Sequence, residues 1–141
     1  MLKDITSKFY EDISGVKDLN KYIGENEGKF ITVTLPEYLD LLLVNQSMTK
    51  KELVKSAGIE KSYLYQIFNG RRSPSRDKLI RIAFALKLSL DSTQRLLIIA
   101  EKPILYPARK RDAAIMFCLI KGHSLDKTQI YLYDLEFEIL E

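Results

Sequence analysis

The chain has 141 residues, of which 46% are hydrophobic and 29% charged, and its formal net charge is +3. This balance is that of one globular domain, or one small domain with extensions, and it argues against a disordered chain. The longest apolar runs, such as Leu96–Ala100, fall far short of the roughly 20 residues that a membrane span needs. The N-terminal stretch carries acids where a signal peptide has an apolar core, and Cys118 is the only cysteine, so an intramolecular disulfide is impossible. We therefore expect a cytoplasmic protein with no membrane partner.

The positive charge is concentrated in one part of the chain. Residues 49–81 contain nine basic and three acidic side chains, whereas residues 1–48 contain five and eight, and residues 82–141 contain eight of each. The nine are Lys50, Lys51, Lys55, Lys61, Arg71, Arg72, Arg76, Lys78 and Arg81. Such an excess indicates a surface that faces a polyanion, although charged side chains that merely solvate helices are the alternative.

The two ends of the chain give the weakest signals. Residues 1–29 are amphipathic only in patches, with a possible short helix near residues 18–25. Residues 30–34 (FITVT) are of types that favour strands, and residues 133–139 alternate apolar and acidic side chains. These two segments could pair as a small two-stranded sheet, within the chain or across a dimer. The alternative is that the last helix continues and then frays.

Between the ends, cap signals predict a series of helices joined by short turns. Thr34 and Glu37 form a capping-box pattern, and Thr49 and Glu52 repeat it. Gly58 is suited to the left-handed turn that ends a helix. Ser75 and Ser89 are further N-cap candidates. The predicted helices span about 35–45, 50–56, 60–69, 76–87 and 90–101.

An internal repeat begins at Arg76 and again at Arg111, an offset of 35 residues. Both copies start with Arg-Asp, both contain the pattern Ser-Leu-Asp-x-Thr-Gln, and both then place a leucine at the same position. We interpret each copy as a helical hairpin. The similarity could reflect only shared hairpin chemistry, but the length of the matching pattern favours a duplicated hairpin that extends the core.

The helix predicted over 60–69 has two different faces. Leu64, Ile67 and Phe68 fall on one side, with Tyr63 at its edge. The polar side holds Lys61, Ser62, Tyr65, Gln66 and Asn69. Lysine and glutamine suit guanine and adenine edges, and an α-helix fits the major groove of B-DNA. Arg71 and Arg72 follow in a loop from which they could grip phosphates.

Residues 36–100 resemble the XRE family of helix-turn-helix proteins, which have the lambda-repressor-like fold. The matching positions are Thr49, Glu52, Leu53, Ala57, Gly58, Ile59, Leu64, Ile67, Gly70, Pro74, Ser75, Leu79, Ile82, Ala83, Ala85 and Leu86. The resemblance implies an all-α fold: a five-helix domain over residues 35–101, with an N-terminal extension over 1–34. Residues 102–141 would add a helical hairpin that packs on this domain or forms a dimer interface.

The resemblance also implies which residues contact double-stranded DNA. In such proteins the start of the second helix and the exposed face of the third make these contacts. By position they are Thr49, Lys50, Lys61, Ser62, Tyr65 and Gln66, with Asn69, Arg71 and Arg72 near the backbone. Tyr65 could instead anchor a protein partner, because aromatic residues are frequent hot spots.

Four positions depart from the family pattern. Lys50 replaces a glutamine that contacts a phosphate, and Val54 replaces a small alanine between the helices. Glu60 replaces the usual Ser or Thr cap, and its charge would face phosphates unless it turned away. Phe68 replaces a glutamate, and we expect it to pack on the first helix or on the N-terminal extension.

These observations predict a sequence-specific DNA-binding transcription regulator, by family habit a repressor, that acts as a homodimer. The alternative is a protein-interaction module on the same scaffold, docking through Tyr63, Tyr65, Phe68 and the C-terminal hairpin. An enzyme is disfavoured, because the single histidine, His123, lies in a predicted turn and no catalytic motif is present. We predict no catalytic residue, no metal and no cofactor.

Overall fold

The computed structural model describes residues 2–141, with side chains described from Ser7 onward. This part of the chain is all-α, as predicted, and contains no strand. Residues 31–34 are irregular, and the last helix ends at Asp134 before an irregular tail, so the two-stranded sheet considered within the chain is wrong. The helices are α1 (Leu2–Ser14), α2 (Leu19–Glu25), a 3-10 turn (Glu27–Lys29), α3 (Leu35–Asn45), α4 (Lys50–Ala57), α5 (Lys61–Phe68), α6 (Arg76–Ala85), α7 (Leu90–Ile99), α8 (Lys110–Lys121) and α9 (Leu125–Asp134).

The chain divides into two compact units, Met1–Thr32 and Val33–Glu141. The first unit holds α1, α2 and the 3-10 turn. Asp18 caps α2 by accepting a hydrogen bond from the amide of Lys21, and the ring of Tyr22 meets Phe30 edge to face. The sequence indicated α2 only as a possible short helix near residues 18–25, and it did not predict α1.

Hydroxyl caps mark the start of five of the seven helices of the second unit: α3, α4, α6, α7 and α9. Five hydroxyl side chains each accept a hydrogen bond from the amide three residues further along the chain. They are Thr34, Thr49, Ser75, Ser89 and Ser124. The hydroxyl of Thr49 also donates to the carboxylate of Glu52 at 3.1 Å. Each cap satisfies an amide that otherwise lacks a partner within the helix, which contributes about 1 kcal/mol.

The core of the second unit joins α3–α9. Three leucines of α3 are buried, with Leu39 fully enclosed and Leu42 and Leu43 each 7% exposed. Phe68 is 6% exposed and lies in the same cluster, and its helix α5 packs against α3. α4 packs against α6, and α7 contacts both α3 and α8. The hydrophobic core therefore runs without a break from the predicted five-helix region into the last two helices.

The two copies of the internal repeat form equivalent hydrogen bonds. The amide side chain of Gln94 makes two hydrogen bonds of 2.8 Å with the backbone of Leu105, and Gln129 makes the same two bonds with Leu140. Left-handed backbone recurs at equivalent residues, Glu101 (φ 58°) and Glu136 (φ 62°). The two copies are therefore hairpins with ordered tails. We call residues 76–106 the first hairpin and residues 111–141 the second hairpin.

The two hairpins hold each other through crossed ion pairs. Arg76 of the first hairpin makes two hydrogen bonds to Asp112, at 3.0 and 2.8 Å, and Arg111 of the second makes two to Asp77, at 3.3 and 3.0 Å. Each arginine also donates to two carbonyls in the tail of its own hairpin. The shared Arg-Asp pairs of the repeat are therefore the contacts that join its copies.

Candidate nucleic-acid interface

The turn between α4 and α5 is held by the half-buried side chain of Arg81. Gly58 ends α4 in the left-handed region, with φ 63°. Arg81 donates from Nε to the carbonyl of Ala57 at 2.9 Å, from Nη2 to that of Gly58 at 3.4 Å, and from Nη1 to that of Leu140 at 2.9 Å. A Cβ added at Gly58 would lie 2.6 Å from this guanidinium. Glycine is thus required both by the backbone angle and by the close approach of Arg81.

α5 presents the two faces that its sequence predicts. Leu64, Ile67 and Phe68 are buried, at 0%, 1% and 6% exposure. The polar residues lie on the other side: Lys61, Ser62, Tyr65 and Asn69 are exposed, and Gln66 is half-buried. Tyr63 is half-buried at the edge of the core, in agreement with its predicted packing role. The start of α4 brings exposed Thr49 and Lys50 to the same interface.

Tyr65 is flanked by two lysines, one from each helix. The Nζ of Lys50 lies 5.9 Å from its ring centre and that of Lys61 lies 5.5 Å away. Lys50 is also 5.1 Å from the ring of Phe68. A cation within about 6 Å of an aromatic face is attracted to it. Positive charge is therefore concentrated beside the rings of Tyr65 and Phe68, where α4 and α5 meet.

A second cluster surrounds Gln66. The Nε of Arg72 donates to Oε1 of Gln66 at 2.8 Å, and the guanidinium lies 4.8 Å from the ring centre of Tyr63. The hydroxyl of Tyr63 in turn accepts a hydrogen bond from the amide of Ser75 at 3.3 Å. Sequence analysis assigned Gln66 and Arg72 separate roles. Their bond spans the turn at Asn69-Gly70, and no periodicity in the sequence indicates it.

The side chain of Asn69 stabilises the same turn. Its Oδ1 accepts from the amide of Arg71 at 3.1 Å, and the amides of Arg71 and Arg72 both donate to the carbonyl of Gln66. The side chain of Arg71 is exposed. The backbone of this turn is therefore fixed by its own hydrogen bonds, while the arginine beside it points to solvent.

The charge count made from the sequence needs one correction. Two of the nine cations of residues 49–81 are used inside the fold, because Arg76 pairs with Asp112 and Arg81 binds three carbonyls. Among the described side chains, the other seven of these nine cations form no ion pair. Four of the seven lie at the start of α4, on α5 or in the turn after it: Lys50, Lys61, Arg71 and Arg72. Only Glu52 and Glu60 are acidic between Lys50 and Arg72, so this surface keeps a positive excess.

Other kinds of site find little support in the part of the chain that the structure describes. No group of three His, Cys, Asp or Glu side chains there could hold a metal ion. No helix is long and apolar enough to cross a bilayer. His123 follows α8 as predicted, but it is half-buried, and its ring stacks on Tyr131 at 5.3 Å. Burial, reinforced by the charges of Lys127 and Lys121, lowers the pKa of this histidine.

Two short helices joined at a left-handed glycine, with the second exposing a polar face beside unpaired cations, define a helix-turn-helix. Comparison with known families agrees, because residues 40–92 match the helix-turn-helix family model. The segment is therefore similar to helix-turn-helix proteins, which agrees with the resemblance to the XRE family that its motif residues indicate. Comparisons with curated proteins and with solved structures found no significant match.

Proposed function

We propose that this protein is a sequence-specific transcription regulator that places α5 in the major groove of double-stranded DNA. One observation carries the proposal: the exposed polar face of α5 lies among four cations that have no acidic partner in the described residues. Lys61, Ser62, Tyr65 and Gln66 then face the bases, with Thr49 and Lys50 entering from α4. Asn69, Arg71 and Arg72 lie at the phosphates.

Mutation of a residue that contacts a base and mutation of one that contacts a phosphate should change DNA affinity in different ways. Gln66→Ala removes a base contact, so it should cost roughly 1–3 kcal/mol on the preferred site and relax preference at one base. Arg71→Ala removes a phosphate contact, so it should weaken all sequences alike and flatten the slope of log affinity against log salt by about one unit. Both are measured by titrating duplexes selected from a random pool at several salt concentrations. A wild-type chain that shows no salt slope and enriches no sequence contradicts DNA reading itself.

We further propose that the regulator is a homodimer joined through the outer face of α8 and α9. Large apolar side chains lie open there: Phe117 is 44% exposed, Ile120 65%, Ile130 60%, Tyr133 75% and Leu135 52%. A two-fold dimer would present two α5 helices to half-sites about one helical turn apart, so we expect a palindromic operator. A dimer bound to such an operator would act as a repressor by blocking access to the promoter. A reporter gene placed behind the selected site tests the direction of regulation.

A further inference from the structure

The bond between Arg72 and Gln66 fixes which way the glutamine amide points. The guanidinium of arginine carries only N–H donors, so the atom 2.8 Å from its Nε must be the carbonyl oxygen of Gln66. With the amide flipped, two donors would face each other. The oxygen of Gln66 is therefore turned towards Arg72, and its NH₂ group makes no hydrogen bond among the described residues.

Arg72 is itself held in position. Its guanidinium stacks over Tyr63, 4.8 Å from the ring centre, and its own backbone amide donates to the carbonyl of Gln66 at 3.2 Å. Tyr63 is tied to the start of α6 through Ser75. The glutamine and the arginine thus form one pre-arranged polar unit, which loses little side-chain freedom when it meets a ligand.

This unit presents hydrogen-bond donors and positive charge, whereas a free glutamine amide presents both an acceptor and a donor. A free glutamine pairs with adenine through two bonds, because its oxygen accepts from the N6 amino group while its nitrogen donates to N7. Here one lone pair of Oε1 is occupied, and a guanidinium within hydrogen-bond distance disfavours the approach of another N–H donor. The amide NH₂ and the remaining N–H groups of Arg72 suit an edge that carries only acceptors, and O6 and N7 of guanine form such an edge.

We infer that Arg72 sets the base preference of Gln66, turning it from adenine to guanine. This inference rests on the proposed DNA-binding function and specifies the base read at that site. Arg72 would then be a specificity-determining residue rather than only a phosphate clamp, the role that its position in the motif implies.

The test compares duplexes enriched by the full-length wild type and by three variants. Gln66→Ala identifies the operator position that depends on Gln66. We expect the wild type to prefer guanine over adenine there by roughly tenfold, the effect of one good base contact. Arg72→Met keeps an unbranched stem over Tyr63 but removes the donors, so the preference should become even or reverse to adenine. Arg71→Met makes the same charge change one residue away and should weaken binding without changing the preferred base.

The possible results distinguish the inferred base preference from the proposed DNA-binding function on which it rests. DNA binding with adenine preferred by the wild type would overturn the inference alone, as would a guanine preference that Arg72→Met leaves unchanged to within twofold. Absence of any salt-dependent DNA binding would overturn both. Thermal unfolding of each variant shows that its fold is intact before its base preference is compared.

Discussion

Two equivalent arginine–aspartate ion pairs of this protein are buried to different depths, and burial determines how much each pair stabilises the fold. Arg76–Asp112 and Arg111–Asp77 are copies of the same contact, yet the Asp112 side chain is 6% exposed and that of Asp77 is 20% exposed. Burial alone would raise the pKa of Asp112. The hydrogen bonds from Arg76 and the Tyr106 amide, with the charges of Arg76 and Arg111, outweigh it and lower the pKa below its ordinary value.

We expect Asp112→Asn to destabilise the fold by about 3 kcal/mol, because it leaves Arg76 without its charge partner in a largely buried site. The matched variant Asp77→Asn should cost about 1 kcal/mol, because water screens the more open pair. Urea unfolding at neutral pH measures both. Equal losses would mean that burial does not distinguish the two pairs.

The same pair predicts a dependence on acid. A carboxyl whose pKa is lower in the folded state stabilises the fold above its unfolded pKa, and this stabilisation is lost as the pH falls through the folded value. The deficit of Asp112→Asn relative to wild type should therefore be full at neutral pH and shrink as the pH falls below the ordinary value of 3.8. A deficit that stays constant into strong acid would assign the loss to packing instead.

At the level of whole helices, α5 begins less securely than its neighbours. Glu60 occupies the N-cap position, with φ −56° and ψ 137°, but makes no side-chain cap bond, whereas Thr49 and Ser75 cap α4 and α6. Its negative charge also stands beside the face proposed to meet phosphates. The interface helix thus lacks a stabilising contact that the scaffold helices have.

Glu60→Ser should therefore stabilise the chain by about 1 kcal/mol, since serine supplies the missing acceptor in the backbone geometry that a cap requires. Removal of the acidic charge should also tighten DNA binding, most at low salt. Ser75→Ala serves as the reverse control and should lose about 1 kcal/mol. Chemical denaturation and DNA titration measure the two effects. An unchanged stability would show that Glu60 already satisfies the helix in solution.

Helices were easier to predict from the sequence than contacts between side chains. Caps such as Thr34 and Ser89 act within one turn, so a short stretch of sequence contains the whole interaction. The partners of Arg76 and Arg81 are set by how distant segments meet, and the partner of Arg72 is set by the shape of the turn after α5. For that reason the first two were wrongly counted with the DNA-facing charge, and the bond from Arg72 to Gln66 was not foreseen.

For the whole molecule, the repeat explains why an apolar face remains open. Phe117 and Ile120 occupy the positions that Ile82 and Ala85 hold in the first hairpin, 35 residues earlier. Ile82 and Ala85 are buried in α6, which packs against α4. The equivalent positions in the second hairpin are 44% and 65% exposed. The second hairpin thus retains a packing face like that of the first, without helices of the described chain upon it.

We expect Ile130→Glu and Tyr133→Glu, made in the intact chain, to convert a dimer to a monomer, because each places charge in the proposed interface. Light scattering measures the mass, and DNA affinity should fall with it. Val44→Glu is the control, since Val44 is equally open at 75% exposure but lies on α3. A wild-type chain that is monomeric at high concentration would contradict the interface.

The crossed arginine pairs make the second unit resist stepwise opening. If the second hairpin detached alone, Arg76 would lose Asp112, Asp77 would lose Arg111, and Arg81 would lose the Leu140 carbonyl while still bound to the turn before α5. Each loss separates a charged group from its partner, so detachment of the second hairpin alone costs more than the packing that it gives up. Residues 33–141 should therefore unfold as a single cooperative unit, and the helix-turn-helix would depend for its rigidity on the last residues of the chain.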